Sequence, residues 1–286
     1  MDQTQQLISR TNNHLKLARQ VRDGKDLSLI FIEGLRLADE CLDCGLELAA
    51  AFCRSSPDSK LMSLLTRIRQ TNCPIYEIDE RLMKDISDTM TSQGLVLLGR
   101  RPVADLKQIL TFALKQISQA PLIVMLDRIQ DPGNAGAIVR TAEAAGAIGI
   151  VCTSGTVDPF APKSLRASMG SAFRLPIATG VEVNSLLISE VRGRVRLVGT
   201  SSDAEQIYTD VDWRVPSLVV FGNEGAGIDP RLLAQCDVRV RIPLASPVES
   251  LNVASSAAVI LFEAARQHRQ LPARQPAGRN QRISKR

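Results

Sequence analysis

The stretch "LDRIQDPGNAGAIVRTAEAAGAIGIV", Leu126 to Val151, decides the fold. It leaves one apolar run, turns at Pro132 and Gly133, and re-enters a second apolar run. The flanking segments "PLIVMLD" (121–127) and "IGIVCT" (148–153) are near-continuous apolar, as parallel strands covered on both faces must be. Between them, Ala135, Gly136, Ala137, Ala142, Ala144 and Ala145 predict a closely packed helix over about 135–145. Strand, helix and strand in that order point to an α/β protein with a parallel sheet. The turn lacks the G-x-G-x-x-G fingerprint of dinucleotide sites. Asn134 stands where a helix N-cap would stand. Arg140 is out of character on a small apolar helix, and a surface ion pair with Glu143 would account for it. It lies roughly 240° round the helix from Asn134, so the two share no simple face.

Working outward, the same alternation continues. Strands are expected at 174–179, 195–201 and 237–245, and the segment 217–228 runs from a strand into a loop, with helices around 182–192 and 229–235 and a closing helix from about Asn252 to Arg266. The first hundred residues alternate too: strands at 27–34, 46–53, 74–78 and 94–99, and helices at 35–45, 59–70 and 79–88, the last begun by an Asp cap. These readings divide the chain into a smaller α/β unit (1–102), a linker helix (103–120), a parallel-sheet unit (121–267) and a basic tail (268–286).

The chain has 286 residues and a net charge of +5, unevenly spread. Seven Lys/Arg and no acids fall between 264 and 286; the remainder carries 28 basic and 30 acidic residues. Such a tail, with little to bury, is expected to be disordered, and either grips phosphate or merely aids solubility. Lys163, Arg166 and Arg174, and the N-terminal Arg10, Lys16, Arg19, Arg22 and Lys25, either guide RNA or form solvated faces. The 3% aromatic content argues against a stacking platform for long single strands. His14 and His268 are the only histidines, which argues against a Ser-His-Asp hydrolase or a His-rich metal enzyme. The "CLDC" pair (Cys41–Cys44) has neither a second pair nor a nearby His, so no metal site is expected. No apolar run spans a bilayer and the N-terminus has no apolar signal core, so a cytoplasmic protein is expected.

Two further segments stand out. "VVFGNEGAGI" (219–228) runs from a strand into a loop holding Gly222, Asn223, Glu224, Gly225 and Gly227, where backbone can approach a ligand. "IPLASPVESLNVA" (242–254) passes from Ile242 through a Pro-containing loop to a helix entrance with Ser250 and Asn252, placed either to cap the helix or to face a polar ligand. Together, and in this order after Asn134 and Arg140, these segments resemble the SpoU/TrmH family of S-adenosylmethionine-dependent RNA 2′-O-ribose methyltransferases, within the SPOUT superfamily. The front unit, "LIFIEGLRLADECLDCG", resembles the RNA-binding domain that precedes the catalytic domain in many members, similar in fold to small RNA-binding ribosomal proteins.

The resemblance implies a deep trefoil knot near the C-terminus, which no pattern argument would propose, and a homodimer through the knotted domain. It places Thr200, Gly222, Ile242 and Leu251 at cofactor-contacting positions, and Asn134, Arg140, Glu224, Ser250 and Asn252 at catalytic and substrate-side positions. The expected reaction is methyl transfer to a ribose 2′-hydroxyl, in 23S ribosomal RNA; the alternatives are a tRNA enzyme or a non-catalytic RNA-binding or assembly factor. Family usage makes Arg140 the base. A guanidinium is normally a donor, so stabilising the developing 2′-oxyanion is the second reading.

Overall fold

The computed structural model describes residues 4–115, 120–183 and 192–270. In chain order the front part contains β1 (Thr4–Leu7), α1 (Asn13–Arg22), β2 (Leu29–Glu33), α2 (Leu35–Asp43), β3 (Leu48–Arg54), α3 (Ser59–Arg69), β4 (Ile75–Ile78), α4 (Glu80–Ile86) and β5 (Leu95–Arg100). Its sheet has the order β1-β4-β3-β5-β2; β1, β4 and β3 run parallel, whereas β5 is antiparallel to both β3 and β2. Asp79 caps α4 by accepting from Leu82 N, as its sequence predicts. β1 and α1 escape the sequence pattern. β1 is a polar edge strand, and α1 buries Leu15, Ala18 and Val21 beneath a basic exterior.

The second sheet follows α5 (Leu106–Lys115), which occupies the described part of the expected linker helix. It comprises β6 (Leu122–Asp127), α6 (Pro132–Ala144), β7 (Gly149–Thr153), α7 (Pro162–Ser168), α8 (Ser171–Arg174), β8 (Ile177–Val181), β9 (Arg196–Thr200), β10 (Gln206–Ile207), β11 (Ser217–Gly222), α9 (Pro230–Leu233), β12 (Val238–Arg241) and α10 (Val253–His268). The strand order is β10-β12-β9-β11-β6-β7-β8, with every pairing parallel. β6 and β11 lie side by side and are buried at every position, which explains their unbroken apolar sequences. The helix expected around 182–192 falls almost wholly outside the described residues, and most of the basic tail does too. The strand expected over 237–245 stops at Arg241; Pro243, which lacks an N–H, follows two residues later.

From β6 the chain proceeds outward to β7 and β8 on one side, and later fills β9, β11 and β12 on the other. The sheet's direction of growth therefore reverses beside β6, where open parallel sheets bind ligands outside their strand ends. Helix α6 lies against α7 so closely that a Cβ on Gly136 would stand 2.2 Å from the Ser164 carbonyl oxygen. The small residues of the opening stretch thus serve helix packing. α10 packs on α6 and is anchored by buried Gln267, whose side chain accepts from Trp213 N and donates to Val211 O.

One apolar core spans residues of both sheets. Three arginines tie the front part to the second sheet's helices and loops. Arg174 reaches both Glu143 and Glu40, Arg166 pairs with Asp88, and Arg101 makes a two-pronged contact with Asp158 at 2.7 and 2.8 Å. Cys41 is buried in this core, and burial, with Cys44 and Cys73 nearby, pushes its thiol up to about 12.

Candidate active site

The C-terminal ends of β6, β7 and β11 meet around one buried carboxylate. Asp127, fully buried, accepts a hydrogen bond from the Thr153 hydroxyl at 2.9 Å and from Asp229 N at 2.7 Å. It thereby joins the loops after β7 and β11 to the end of β6. Arg128 follows with a left-handed φ of 56°, a conformation disfavoured for a non-glycine residue. Its N–H donates to the Thr153 and Thr156 hydroxyls, and its carbonyl accepts from the side chains of Asn223 and Gln130. Asn223 in turn accepts from Gly225 N and Ala226 N, closing the glycine loop on itself. A Cβ on Gly222 would lie 2.2 Å from Ile228 N, so a side chain at this position would collide with the returning loop.

Above this base lies a cavity of about 380 Å³, within the size range of small-molecule sites. Thr200, Gly222, Glu224, Ile242, Ser250, Leu251 and Asn252 all line it, although they come from three separate segments of the chain. Thr200 donates its hydroxyl to Val220 O at 2.8 Å and ties the ends of β9 and β11 together. Apolar walls from Ile228, Val240, Ile242 and Ile260 beside backbone-rich loops suit a ligand with both an aromatic base and polar substituents. S-adenosylmethionine fits that description.

Asn134 and Arg140 do not line the cavity, and the structure places them differently. Asn134 bridges two loops: its amide nitrogen donates to Glu224 Oε1 at 2.9 Å, and its oxygen accepts from Asn252 Nδ2 at 3.0 Å. Glu224 also accepts from Gln130 N and Asp131 N. Burial alone would raise the Glu224 carboxyl, but these donors, Asn134 foremost, hold it below the ordinary carboxylate range. Its charged form therefore persists at neutral pH, and the stability it confers is lost only as pH falls through the depressed value. Asn252 caps α10 through Ala254 N and Ser255 N, and its amide nitrogen donates to Asn134.

Asn134 is not the cap of α6. Asp131 is: its carboxylate accepts from Asn134 N, leaving the Asn134 side chain free to bridge. Nor does Arg140 pair with Glu143, because Arg174 occupies both Glu143 oxygens at 2.6 and 2.9 Å. Arg140 is exposed and has no hydrogen bond or ion pair among the described residues.

Several basic residues read as RNA guides are engaged within the protein. Lys163 pairs with Asp131, Arg166 with Asp88, and Arg10 and Arg19 with Asp85, while Arg22 contacts Asp23 and the Asp85 carbonyl. Sequence reasoning missed Asp127, Arg128 and Gln130. The available signal was a carboxylate ending an otherwise apolar strand, a costly place for an unpaired charge. Asp127→Asn would turn an amide NH₂ toward a donor and leave Thr153 or Asp229 N without its acceptor. Denaturant unfolding is expected to show a loss of about 1–3 kcal/mol, with weaker S-adenosylmethionine binding by calorimetry; unchanged values would contradict the hub.

Comparison with known proteins agrees with this geometry. The SpoU rRNA Methylase family matches residues 121–262, and the RNA 2′-O ribose methyltransferase substrate binding family matches residues 31–102. An uncharacterized tRNA/rRNA methyltransferase of Synechocystis sp. is 31% identical over 258 residues, covering 88% of this chain and 89% of its own. The 23S rRNA (guanosine(2553)-2′-O)-methyltransferase RlmP of Bacillus subtilis is 31% identical over 195 residues, 68% of this chain and 73% of its own. The AdoMet-bound rRNA methyltransferase from Sinorhizobium meliloti superposes with a TM-score of 0.81 at 30% identity, covering 92% of this chain and 98% of its own. With a parallel sheet, a ligand-sized cavity at its strand ends and both family matches in order, the chain belongs to the SpoU rRNA methylase family and is an S-adenosylmethionine-dependent RNA 2′-O-ribose methyltransferase.

Proposed function

We propose that this enzyme methylates a ribose in 23S ribosomal RNA, with the cofactor in the 380 Å³ cavity and the RNA ribose beside Arg140. The observation that carries this reading is the chain Glu224–Asn134–Asn252, which links the cavity loops to the helix bearing Arg140. The ribosomal target follows the name of the Bacillus subtilis relative. The reaction would take place in the cytoplasm; among the described residues no helix is long and apolar enough to cross a membrane.

The cofactor supplies an activated methyl group on a sulfonium. The protein's own residues then have two tasks: to hold the donor and the 2′-oxygen in line, and to help the hydroxyl shed its proton. Thr200, Gly222, Ile242 and Leu251 would hold the cofactor. Glu224 and Asn134 fix the glycine loop against the start of α6, and Ser250 and Asn252 face the ribose from the loop before α10. Arg140 is our candidate for the charge that meets the developing 2′-oxyanion. Arg174, Lys163 and Arg166 are each held by a carboxylate, whereas Arg140 has none among the described residues, so its donors are available to RNA.

Two further parts of the reading concern architecture. The chain is divided at 1–102, 103–120, 121–267 and 268–286, with the front unit presenting RNA; the substrate-binding family match at 31–102 supports this. The segment between β12 and α10 is threaded as the family's trefoil knot. In support, it crosses from β12, beyond β9, back to α10 packed on α6. A homodimer through this region is supported by four exposed apolar residues in the loop before α10 and on α10 itself: Val248, Leu251, Val259 and Phe262. Sedimentation at micromolar concentration is expected to give twice the 31.1 kDa chain mass, and a monomer would refute the pairing.

Arg140→Lys separates the two catalytic readings. For an oxyanion stabiliser, kcat is expected to fall about 10²- to 10³-fold at every pH, with cofactor binding retained. Near-normal turnover with a pH profile moved to the lysine range would show instead that this position is the base.

A further inference from the structure

A second cleft, of about 280 Å³, lies where the front sheet meets α7. It is lined by Arg36, Leu37, Thr91 and Gln93 of the front part and by Arg166 and Met169 at the end of α7. Leu37 and Met169 supply apolar walls, and most of the polar groups are already committed. The buried Glu33 carboxylate accepts from Asp88 N, Thr89 N and the Thr89 hydroxyl. Gln93 Oε1 accepts from Leu35 N at 2.8 Å. Arg166 gives Nη2 to Asp88 at 2.7 Å.

What remains is a set of donors. Arg166 Nη1 is buried with no hydrogen-bond partner. Gln93 Nε2 and the whole Arg36 guanidinium have no partner among the described residues, and Arg36 is exposed at the cleft's rim. Arg166 Nη1 is closed to solvent, so the donors a ligand in the cleft would meet are Gln93 Nε2 and the Arg36 guanidinium, both on exposed residues. The two carboxylates beside it, Glu33 and Asp88, are held by the donors just named and leave the rim charge to Arg36.

The cleft is also tied to the methyl-transfer site. Lys163 stands three residues before Arg166 on α7, about 4.5 Å along the axis and on the same side. Lys163 pairs with Asp131, whose N–H donates to Glu224. One helix therefore touches both sites, so an RNA bound at one has neighbouring nucleotides within reach of the other.

We propose that this junction cleft seats an unstacked nucleobase of the RNA substrate near the methylated nucleotide, a carbonyl oxygen on Gln93 Nε2 and its phosphate on Arg36. Apolar walls from Leu37 and Met169 beside an open amide donor and a rim guanidinium suit a carbonyl-bearing base, and RNA is read by sequence mainly where bases splay out of the helix. Because the two families' segments each contribute an arginine, the base would fix the angle at which RNA crosses from the front part to the site. The proposal rests on the RNA methyltransferase reading, but one arm of its test does not.

That arm is photo-crosslinking of a single-stranded oligoribonucleotide carrying 4-thiouridine to the full-length protein, with peptide identification. Crosslinks within residues 33–37, 89–93 or 166–169 are expected; crosslinks confined elsewhere overturn the cleft. The second arm measures methyl transfer to 23S rRNA transcript by Arg36→Ala, which removes an unpaired side chain, and by Thr91→Trp, which fills the exposed mouth. Both are expected to raise KM for RNA about 10-fold or more, with kcat, cofactor affinity and melting temperature near those of the unaltered enzyme. An unchanged KM overturns the cleft while leaving the methyltransferase reading intact. Crosslinks at the cleft in a protein that methylates no RNA would support the cleft and sink that reading.

Discussion

The buried carboxylate of Asp127 is the constraint on which the site depends. A charge at the end of a strand that is otherwise wholly apolar is tolerable only if donors surround it. The Thr153 hydroxyl and the Asp229 amide satisfy it, and in doing so they draw the ends of β7 and β11 together with that of β6. The neighbouring Arg128, in its left-handed conformation, turns its carbonyl toward Asn223 and so sets the base of the glycine loop. Gly222 then has a backbone neighbour where a side chain would be. The cavity floor is thus fixed by polar bonds, although apolar strands form its foundation.

A second layer of polar contacts couples that floor to the start of α6. Glu224, Asn134 and Asn252 come from three separate segments and form one chain of hydrogen bonds. The charged Glu224 strengthens the contact from Asn134, as ionised acceptors do. At the junction of the two sheets three arginines are neutralised within the fold: Arg174 against Glu40 and Glu143, Arg166 against Asp88 and Arg101 against Asp158. Such pairings tie the front part to the second sheet's helices and loops, whereas Arg140 has no ion pair among the described residues.

The apolar skeleton was legible in the sequence because β6, β7 and β11 are buried on both faces and read as unbroken apolar runs. The three loop segments were legible too, and their residues do line one cavity. Contacts between distant segments were not. Asn134 reads as the cap of α6 in the sequence, and only Glu224, 90 residues on, reveals why Asp131 caps and Asn134 bridges. Glu143 lies beside Arg140 in sequence but is taken by Arg174, 31 residues away. β1 was hidden by its polar edge-strand sequence, and α1 by basic residues over an apolar stripe.

The most direct test of this account is to follow a labelled methyl group from S-adenosylmethionine into RNA and digest the product to nucleosides. We expect the label in a single 2′-O-methylated nucleoside of 23S rRNA, with transfer abolished by Arg140→Ala although the cofactor still binds. Label on a base, or transfer undiminished in Arg140→Ala, would contradict the assignment of Arg140 to the methyl-transfer site.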